Sequence, residues 1–312
     1  MFFFCSKGES KMNMLAPIAE PGARPAPRSV AVDAVEAVLS LPEEELDYAQ
    51  AKVALDAIID PAADIGATLD EIARLAQLAR AMAGAGATAA EKVQALRALV
   101  YRSGPWNDHH PFDYDHGNFK DLRVKLLSNY LASRRGNCVS MPILFLILAD
   151  KLGLDMSLTM APVHFFLRWR EGSGRVVNLE TTSGAGPARD LWICQSRGVT
   201  DRGVASGFYL RSLSRREGVA AMALTVVEHL IAERRFREAL AVTELILRCS
   251  PRNGLAWANQ GQACFHIMGT EFLARHGSEL LIPVPRRAEY LLLLQRNHHA
   301  FAAAKRLGWA PL

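Results

Sequence analysis

Apolar residues recur at steps of three and four positions through the first third of the chain, between residues 30 and 101. The spacing is carried by Val35, Val38, Leu39, Leu69, Ile72 and Leu75. It is typical of helices that bury one face. Pro61 interrupts the pattern, and Gly84 begins a flexible joint before a last helix predicted over residues 90–101. The first third is therefore predicted to be a set of packed helices.

The pattern changes twice in the middle of the chain. Residues 103–118 are polar and irregular, and a short helical pattern after them ends near Gly136. The apolar run over residues 140–152 then predicts a buried helix, with Gly153 at its C-terminal end. Strand-like segments follow at residues 157–160, 164–170 and 175–179. A helical half followed by short antiparallel strands predicts an α+β domain.

The last third of the chain returns to a helical pattern that carries part of a known repeat. Ala239 occupies the helix-packing position of a tetratricopeptide repeat, a unit of roughly 34 residues, and Pro251 follows at the expected distance. Trp257 and Gly261 match the first positions of a following unit. We therefore predict an all-α, tetratricopeptide-like region over residues 216–312.

The amino-acid composition excludes two classes of protein. The 312 residues include 36 Lys and Arg against 32 Asp and Glu, a net charge of +4, and 50% are hydrophobic. Such a chain is not mainly disordered, and so small a positive excess is not that of a dedicated nucleic-acid binder. Residues 1–28 are the exception: they are rich in Pro, Gly, Ala and Ser, which predicts a disordered tail, with Met12 or Met14 as alternative starts.

The sequence shows neither a membrane span nor a secretory signal. The apolar run at residues 143–148 is far shorter than a bilayer span, and residues 2–4 are too few for the core of a signal peptide. We therefore expect a cytoplasmic protein with no membrane partner. Its five cysteines are then predicted to be free thiols, and no pair has the CxxC spacing of a structural zinc site.

One cysteine stands where a loop enters an apolar helix. The amide groups at a helix start carry partial positive charge, so we expect them to lower the pKa of Cys138 and to hold an oxyanion. Pro142 leaves the first helical residue open between Cys138 and Pro142 itself. A nucleophilic cysteine needs a base, and His164 lies at the start of a predicted strand. The next strand offers Asn178 and Glu180, on one face of that strand, to orient the imidazole.

Each of these residues also has an ordinary structural explanation. A cysteine at a helix start is most often a small core residue, and a histidine in a strand is most often structural. The order of the groups favours a site. A cysteine at a helix start, followed by a histidine and an acid or amide on adjacent strands, is the arrangement of papain-type and transglutaminase-type enzymes.

A polar loop holds the densest group of potential metal ligands. These are His109, His110, Asp113, Asp115 and His116. Imidazole and carboxylate groups suit zinc or another divalent ion. The preferred interpretation is a solvated loop whose Asp and Asn residues form turns. We therefore predict no metal and no cofactor.

At the cysteine and histidine segments the chain resembles the bacterial transglutaminase-like superfamily, over residues 30–215, and most closely its SirB-type branch. The resemblance is carried by residues 129–136, 148–154, 161–164 and 178–182. It implies a papain/transglutaminase-like core followed by tetratricopeptide repeats. The expected organisation is a tail at 1–28, a transglutaminase-like domain with an N-terminal helical subdomain at 29–215, and a helical region at 216–312.

The resemblance also implies a catalytic triad. In it Cys138 is the nucleophile, His164 the base and Glu180 the orienting acid. Glu180 stands where the family has Asp, which adds one methylene of reach and leaves Asn178 as an alternative third member. Many SirB-type chains lack the cysteine, whereas this chain has it.

Two functions of different classes follow from the sequence. The first is a transglutaminase-like thiol enzyme that acts on an amide or peptide bond, by hydrolysis or by acyl transfer to an amine. The alternative is a non-catalytic regulator that keeps a relic triad and docks a partner on its C-terminal helical repeat. In both cases the expected substrate or partner is a protein or peptide, and no nucleic acid is expected.

Overall fold

The N-terminal helices are capped by polar side chains, as the sequence pattern requires. The computed structural model describes residues 29–117 and 121–311, so the predicted tail lies outside the described residues. The four helices are α1 (Val30–Ser40), α2 (Tyr48–Ile59), α3 (Ile65–Ala83) and α4 (Ala89–Tyr101). The residues whose side chains accept a first-turn amide hydrogen bond are Ser29, Asp47, Asp64 and Thr88. The prediction of a helical first third is confirmed.

The polar segment after α4 is less irregular than its composition suggests. Within it a two-residue strand, β1 (Asp113–Tyr114), pairs in parallel with β2 (Arg135–Gly136). Between them the predicted helix divides into a 3₁₀ turn over Leu122–Lys125 and a short helix, α5 (Leu127–Ser133). Helix α5 ends where Arg134 adopts a left-handed φ of 54°, which turns the chain into β2. The following helix, α6 (Ser140–Lys151), is buried along most of its length, as predicted.

The strand predictions are confirmed in a four-stranded antiparallel sheet. Its strands lie in chain order and are β3 (Met156–Ala161), β4 (His164–Arg170), β5 (Val176–Glu180) and β6 (Gly186–Ala188). The sequence pattern missed β6 because three residues with a central proline carry no alternation. The helices and this small sheet make an α+β fold, with a helical C-terminal region as predicted.

After the sheet the chain consists of helices of unequal length. They are α7 (Asp190–Arg197), α8 (Asp201–Ala205), α9 (Arg215–Met222), α10 (Leu224–Ala232), α11 (Phe236–Cys249), α12 (Gly254–Ile267), α13 (Ala274–His276) and α14 (Val284–Arg306). A π-helical segment and a 3₁₀ turn lie between α12 and α14, so no short turn joins these two helices. The tetratricopeptide-like repeat stays a prediction.

One hydrophobic core connects the two halves of the chain. Helix α1 packs against α11, and α9 packs against α2 and β3. The predicted boundary between residues 215 and 216 falls in the first turn of α9, whose cap is Ser214. Buried apolar residues on both sides of that boundary belong to the same core. Within the described ranges, no helix combines the length and apolar character needed to cross a bilayer.

Candidate active site

Cys138 lies in a tight turn between β2 and α6 that its neighbours hold in place. The side-chain oxygen of Asn137 accepts hydrogen bonds from the backbone amides of Val139, at 2.9 Å, and Ser140, at 3.3 Å. The Ser140 hydroxyl accepts from the Asn137 amide at 3.1 Å and donates to the Val124 carbonyl at 2.7 Å. The helix therefore begins two residues after the cysteine, and its first amides are already paired.

The glycine before this turn is required by close packing. A Cβ atom on Gly136 would lie 2.6 Å from the Ser140 hydroxyl oxygen and 2.6 Å from ring atoms of Tyr130. Any side chain at this position would displace the turn that carries Cys138. From the sequence pattern, Gly136 was predicted only as the end of a helix.

The thiol is held against the start of β4. Cys138 donates a hydrogen bond to the Val163 carbonyl, with 3.5 Å between Sγ and the oxygen. The backbone joins the same two segments, because the Phe165 amide donates to the Cys138 carbonyl at 3.3 Å. Hydrogen bonds therefore join the turn before α6 to Val163 and Phe165, the residues on either side of His164.

Burial raises the pKa of the Cys138 thiol above its ordinary value. The charges of Lys125 and Arg197 lower this pKa and the Glu180 carboxylate raises it, and the net change is upward. The expected net lowering of this pKa is wrong: a backbone amide at Cys138 does lower it, but desolvation outweighs this and the other favourable interactions, while the Asn137 side chain accepts from the next two amides. The thiol therefore rests protonated at neutral pH.

His164, the first residue of β4, has two ring nitrogens in different surroundings. Nε2 lies 2.7 Å from a carboxylate oxygen of Glu180, and the two side chains are only 1% and 4% exposed. Nδ1 is also buried, but it has no hydrogen-bond partner among the described residues. A buried polar atom without a partner costs about 1–3 kcal/mol, so it requires an explanation.

Glu180 is held as an acceptor on both carboxylate oxygens. The oxygen that does not face His164 accepts from the Thr182 amide at 3.1 Å and from its hydroxyl at 2.7 Å. Burial alone raises the pKa of Glu180, but the hydrogen bond and charge of His164 and the two Thr182 donors outweigh it, so this pKa lies below its usual value. The ionised carboxylate accepts a hydrogen bond from an Nε2–H of His164, so in the neutral imidazole Nδ1 is the acceptor.

Asn178, the alternative third group, faces other partners. Its side chain accepts from Arg168 at 3.0 Å and donates to the carbonyl of Ala188 at 3.1 Å and to Asp190 at 2.6 Å. Strand register explains the difference, because Asn178 pairs with Arg168 in the middle of β4. The structure therefore places Glu180 beside the imidazole and Asn178 away from it.

Cys138 and His164 line the same cavity, which has a volume of about 510 Å³ and is here called the thiol cleft. The turn of Cys138 and the ends of β3 and β4 form one side of it. Helices α10 and α12 form the other side through Leu224, Thr225, Glu228, Ile231, Leu255, Asn259 and Gln262. Lys125 also lines the cleft and forms an ion pair with Glu228. No motif in the sequence indicated that the C-terminal helices reach the cysteine.

The other candidate residues lie apart from the thiol cleft or make ordinary contacts. In the described part of the chain, no group of three or more His, Cys, Asp or Glu side chains is placed to hold a metal ion. Asp113 instead pairs with Arg135 across β1 and β2. Cys194, Cys249 and Cys264 are free thiols, as is Cys138. The fifth cysteine, at position 5, lies outside the described residues.

The comparison with protein families agrees with this architecture. Residues 66–185 match the model of the transglutaminase-like superfamily. The matched segment runs from the first turn of α3 to the residue before β6 and contains Cys138, His164 and Glu180. Searches of curated proteins and of solved structures returned no significant match. The fold and the family match together define a transglutaminase-like α+β domain with a helical region after it.

Proposed function

We propose that this protein is a cysteine-dependent enzyme that acts on an amide or peptide bond by acyl transfer to water or to an amine. The observation that carries the proposal is the state of His164. Its Nε2 is fixed by an ionised carboxylate, its Nδ1 is buried without a partner among the described residues, and His164 lines the same cavity as Cys138. An imidazole held in this tautomer is ready to accept a proton.

The reaction proceeds in two acyl-transfer steps. Cys138 Sγ attacks the substrate carbonyl carbon while Nδ1 of His164 takes the thiol proton. The C–N bond then breaks, the same proton passes to the leaving amine, and a thioester remains on Cys138. Water or an amine attacks the thioester, gives a proton to His164, and the proton returns to the sulfur as the product leaves.

The raised pKa of Cys138 determines how the first step begins. A cysteine with a low pKa forms a resting thiolate–imidazolium pair, as in papain. Here burial keeps the thiol protonated. His164 therefore acts as a general base during the attack, and Glu180 stabilises the imidazolium that forms.

The test is the rate of Cys138 alkylation by iodoacetamide at pH 7, measured by peptide mass spectrometry. A general base contributes about 10²–10⁴-fold in rate, so we expect His164→Ala to slow alkylation at least tenfold. Cys194 in the same samples is the internal standard, because it lies outside the thiol cleft. Equal Cys138 rates in wild type and His164→Ala would refute the proposed base.

The non-catalytic alternative is favoured by one observation. The resting thiol donates to the Val163 carbonyl and has a raised pKa, which is also what a structural cysteine would show. A Cys138→Ala variant separates the two functions, because it removes the nucleophile and leaves the outer surface unchanged. Full function in cells carrying this variant would support a binding protein, and loss of function with normal folding would support the enzyme.

A further inference from the structure

A second cavity adjoins the thiol cleft on the far side of the turn between β3 and β4. It has a volume of about 350 Å³ and is here called the aromatic pocket. The two cavities share the lining residues Met160, Ala161, Val163, Leu255, Asn259 and Gln262. They are therefore two parts of one groove that runs between the β3–β4 turn and α12.

Aromatic rings packed on α12 build the far part of the groove. The rings of Phe208, Tyr209, Phe301 and Trp309 line the aromatic pocket. A Cβ on Gly254 would lie 2.8 Å from the Phe208 ring, and a Cβ on Gly261 would lie 2.8 Å from the Phe301 ring. Because α12 has glycine at both places, these rings lie directly against its backbone. The resulting concave apolar surface suits a large aliphatic or aromatic side chain.

Two amide side chains mark the path between the aromatic pocket and the thiol cleft. Asn259 and Gln262 lie one turn apart on α12, and both line both cavities. Neither side chain makes a hydrogen bond to another described residue. A primary amide both donates and accepts, which matches the alternating N–H and C=O groups of an extended peptide. The groove thus offers an apolar pocket, main-chain partners and a thiol within two adjoining cavities.

We propose that the substrate is an extended peptide segment whose large apolar side chain enters the aromatic pocket while its reacting carbonyl lies at Cys138. Asn259 and Gln262 bind its main chain. The proposal rests on the proposed function for the reaction at Cys138. It goes further by naming the substrate as a peptide and giving it a preference for an apolar residue near the reacting bond.

The first measurement is binding without chemistry. The Cys138→Ala protein is titrated with acetyl-Gly-Gly-Phe-Gly-Gly-amide and with the same peptide carrying Ala in place of Phe, and dissociation constants are obtained by saturation-transfer NMR. One methylene group in an apolar pocket changes the discrimination between two ligands by about 10–200-fold. We therefore expect the Phe peptide to bind at least tenfold more tightly than the Ala peptide. Equal affinities would overturn the proposal.

Two variants locate the site. Ala310 is exposed at the rim of the aromatic pocket, so Ala310→Phe fills the pocket with little risk to folding and should remove the preference for Phe. Phe265→Ala is the matched control, because this ring is also on α12, is 61% exposed and lines neither cavity. A preference that persists in Ala310→Phe would place binding elsewhere and overturn the proposal.

A protection experiment connects the peptide to the thiol. In the wild-type protein a saturating Phe peptide should slow iodoacetamide alkylation of Cys138 and leave Cys194 unchanged, and absence of protection would overturn the proposed path of the peptide. The binding data do not depend on the proposed reaction. If the Phe peptide binds selectively but His164→Ala leaves the Cys138 alkylation rate unchanged, the proposed enzyme is refuted and the peptide groove is kept. If His164→Ala slows alkylation but the Phe peptide does not bind selectively, only the groove is refuted.

Discussion

The turn that joins β3 to β4 contains a strained valine. Val163 has a left-handed φ of 47° although its side chain is β-branched. It is 68% exposed, so its side chain makes few contacts that offset the strain. Its carbonyl nevertheless accepts the hydrogen bond of the Cys138 thiol. Replacing this residue by glycine should therefore stabilise the protein and leave the contact between the turn and the thiol in place.

The size of the effect follows from two opposing contributions. An L-residue in the left-handed region costs about 1–2 kcal/mol, and a β-branched residue lies at the upper end of this range. Glycine removes that cost but adds freedom to the unfolded chain, which offsets about 0.5–1 kcal/mol. The loss of an exposed side chain adds little. We therefore expect Val163→Gly to raise the free energy of unfolding by about 1 kcal/mol.

The assay is urea denaturation at pH 7, followed by circular dichroism. Val176→Gly is the matched control, since Val176 is 40% exposed in the ordinary strand β5 and has no left-handed φ. There the same change should lower the free energy of unfolding by about 0.5–1 kcal/mol. If Val163→Gly is destabilising, as Val176→Gly is, the strain argument is refuted.

Four further variants test particular contacts. Glu180→Gln should slow Cys138 alkylation at least tenfold, whereas Asn178→Ala should change it less than about twofold, because Glu180 contacts the His164 imidazole and Asn178 contacts Arg168 instead. Lys52→Met leaves the buried Asp56 carboxylate without its counter-charge and should lower the free energy of unfolding, measured by urea denaturation, by about 3–5 kcal/mol. Burial raises the pKa of Glu217, but the hydrogen bonds from Arg211 and from the Ser214 amide, together with the charges of Arg211 and Arg252, outweigh it, so the net pKa lies below the usual value. The stability that Glu217→Gln removes should therefore be full above the unfolded pKa of about 4.3 and vanish as pH falls through the lower, folded pKa.

A specific result would contradict each of these predictions. Equal alkylation rates in Glu180→Gln and wild type would mean that the carboxylate does not orient His164. A loss below about 1 kcal/mol in Lys52→Met would mean that water reaches the buried pair with Asp56. A difference between Glu217→Gln and wild type that stays constant from pH 7 to pH 3, measured by urea denaturation, would mean that the Glu217 carboxylate gives no pH-dependent stability.

The helices and the main strands were predictable because their signals are local. The three- and four-residue steps of apolar positions and the polar caps act within one turn of the chain. The helix over α6 and its end at Gly153, with a φ of 70°, followed from the same kind of signal. The three candidate triad residues were also identified from their order along the chain, and the structure pairs two of them, His164 and Glu180.

Other features depend on residues that are distant in sequence. Strands β1 and β2 pair across some twenty positions, and neither is long enough to show a pattern. The choice of Glu180 over Asn178 depends on the register of β4 and β5, which no single strand reveals. The contacts of Asn137 with the Val139 and Ser140 amides are local instead, and an asparagine just before a helix start is the signal that could have predicted them.

By itself, then, the sequence determined the helices, the antiparallel hairpins and the residues that carry the candidate chemistry, because short-range backbone geometry and residue type specify them. Only the tertiary structure decided the direction of the Cys138 pKa and the form of the groove beside it. A pKa depends on how much water the whole fold removes from the sulfur. The groove exists only where α12 and its aromatic neighbours pack against the turn at Val163.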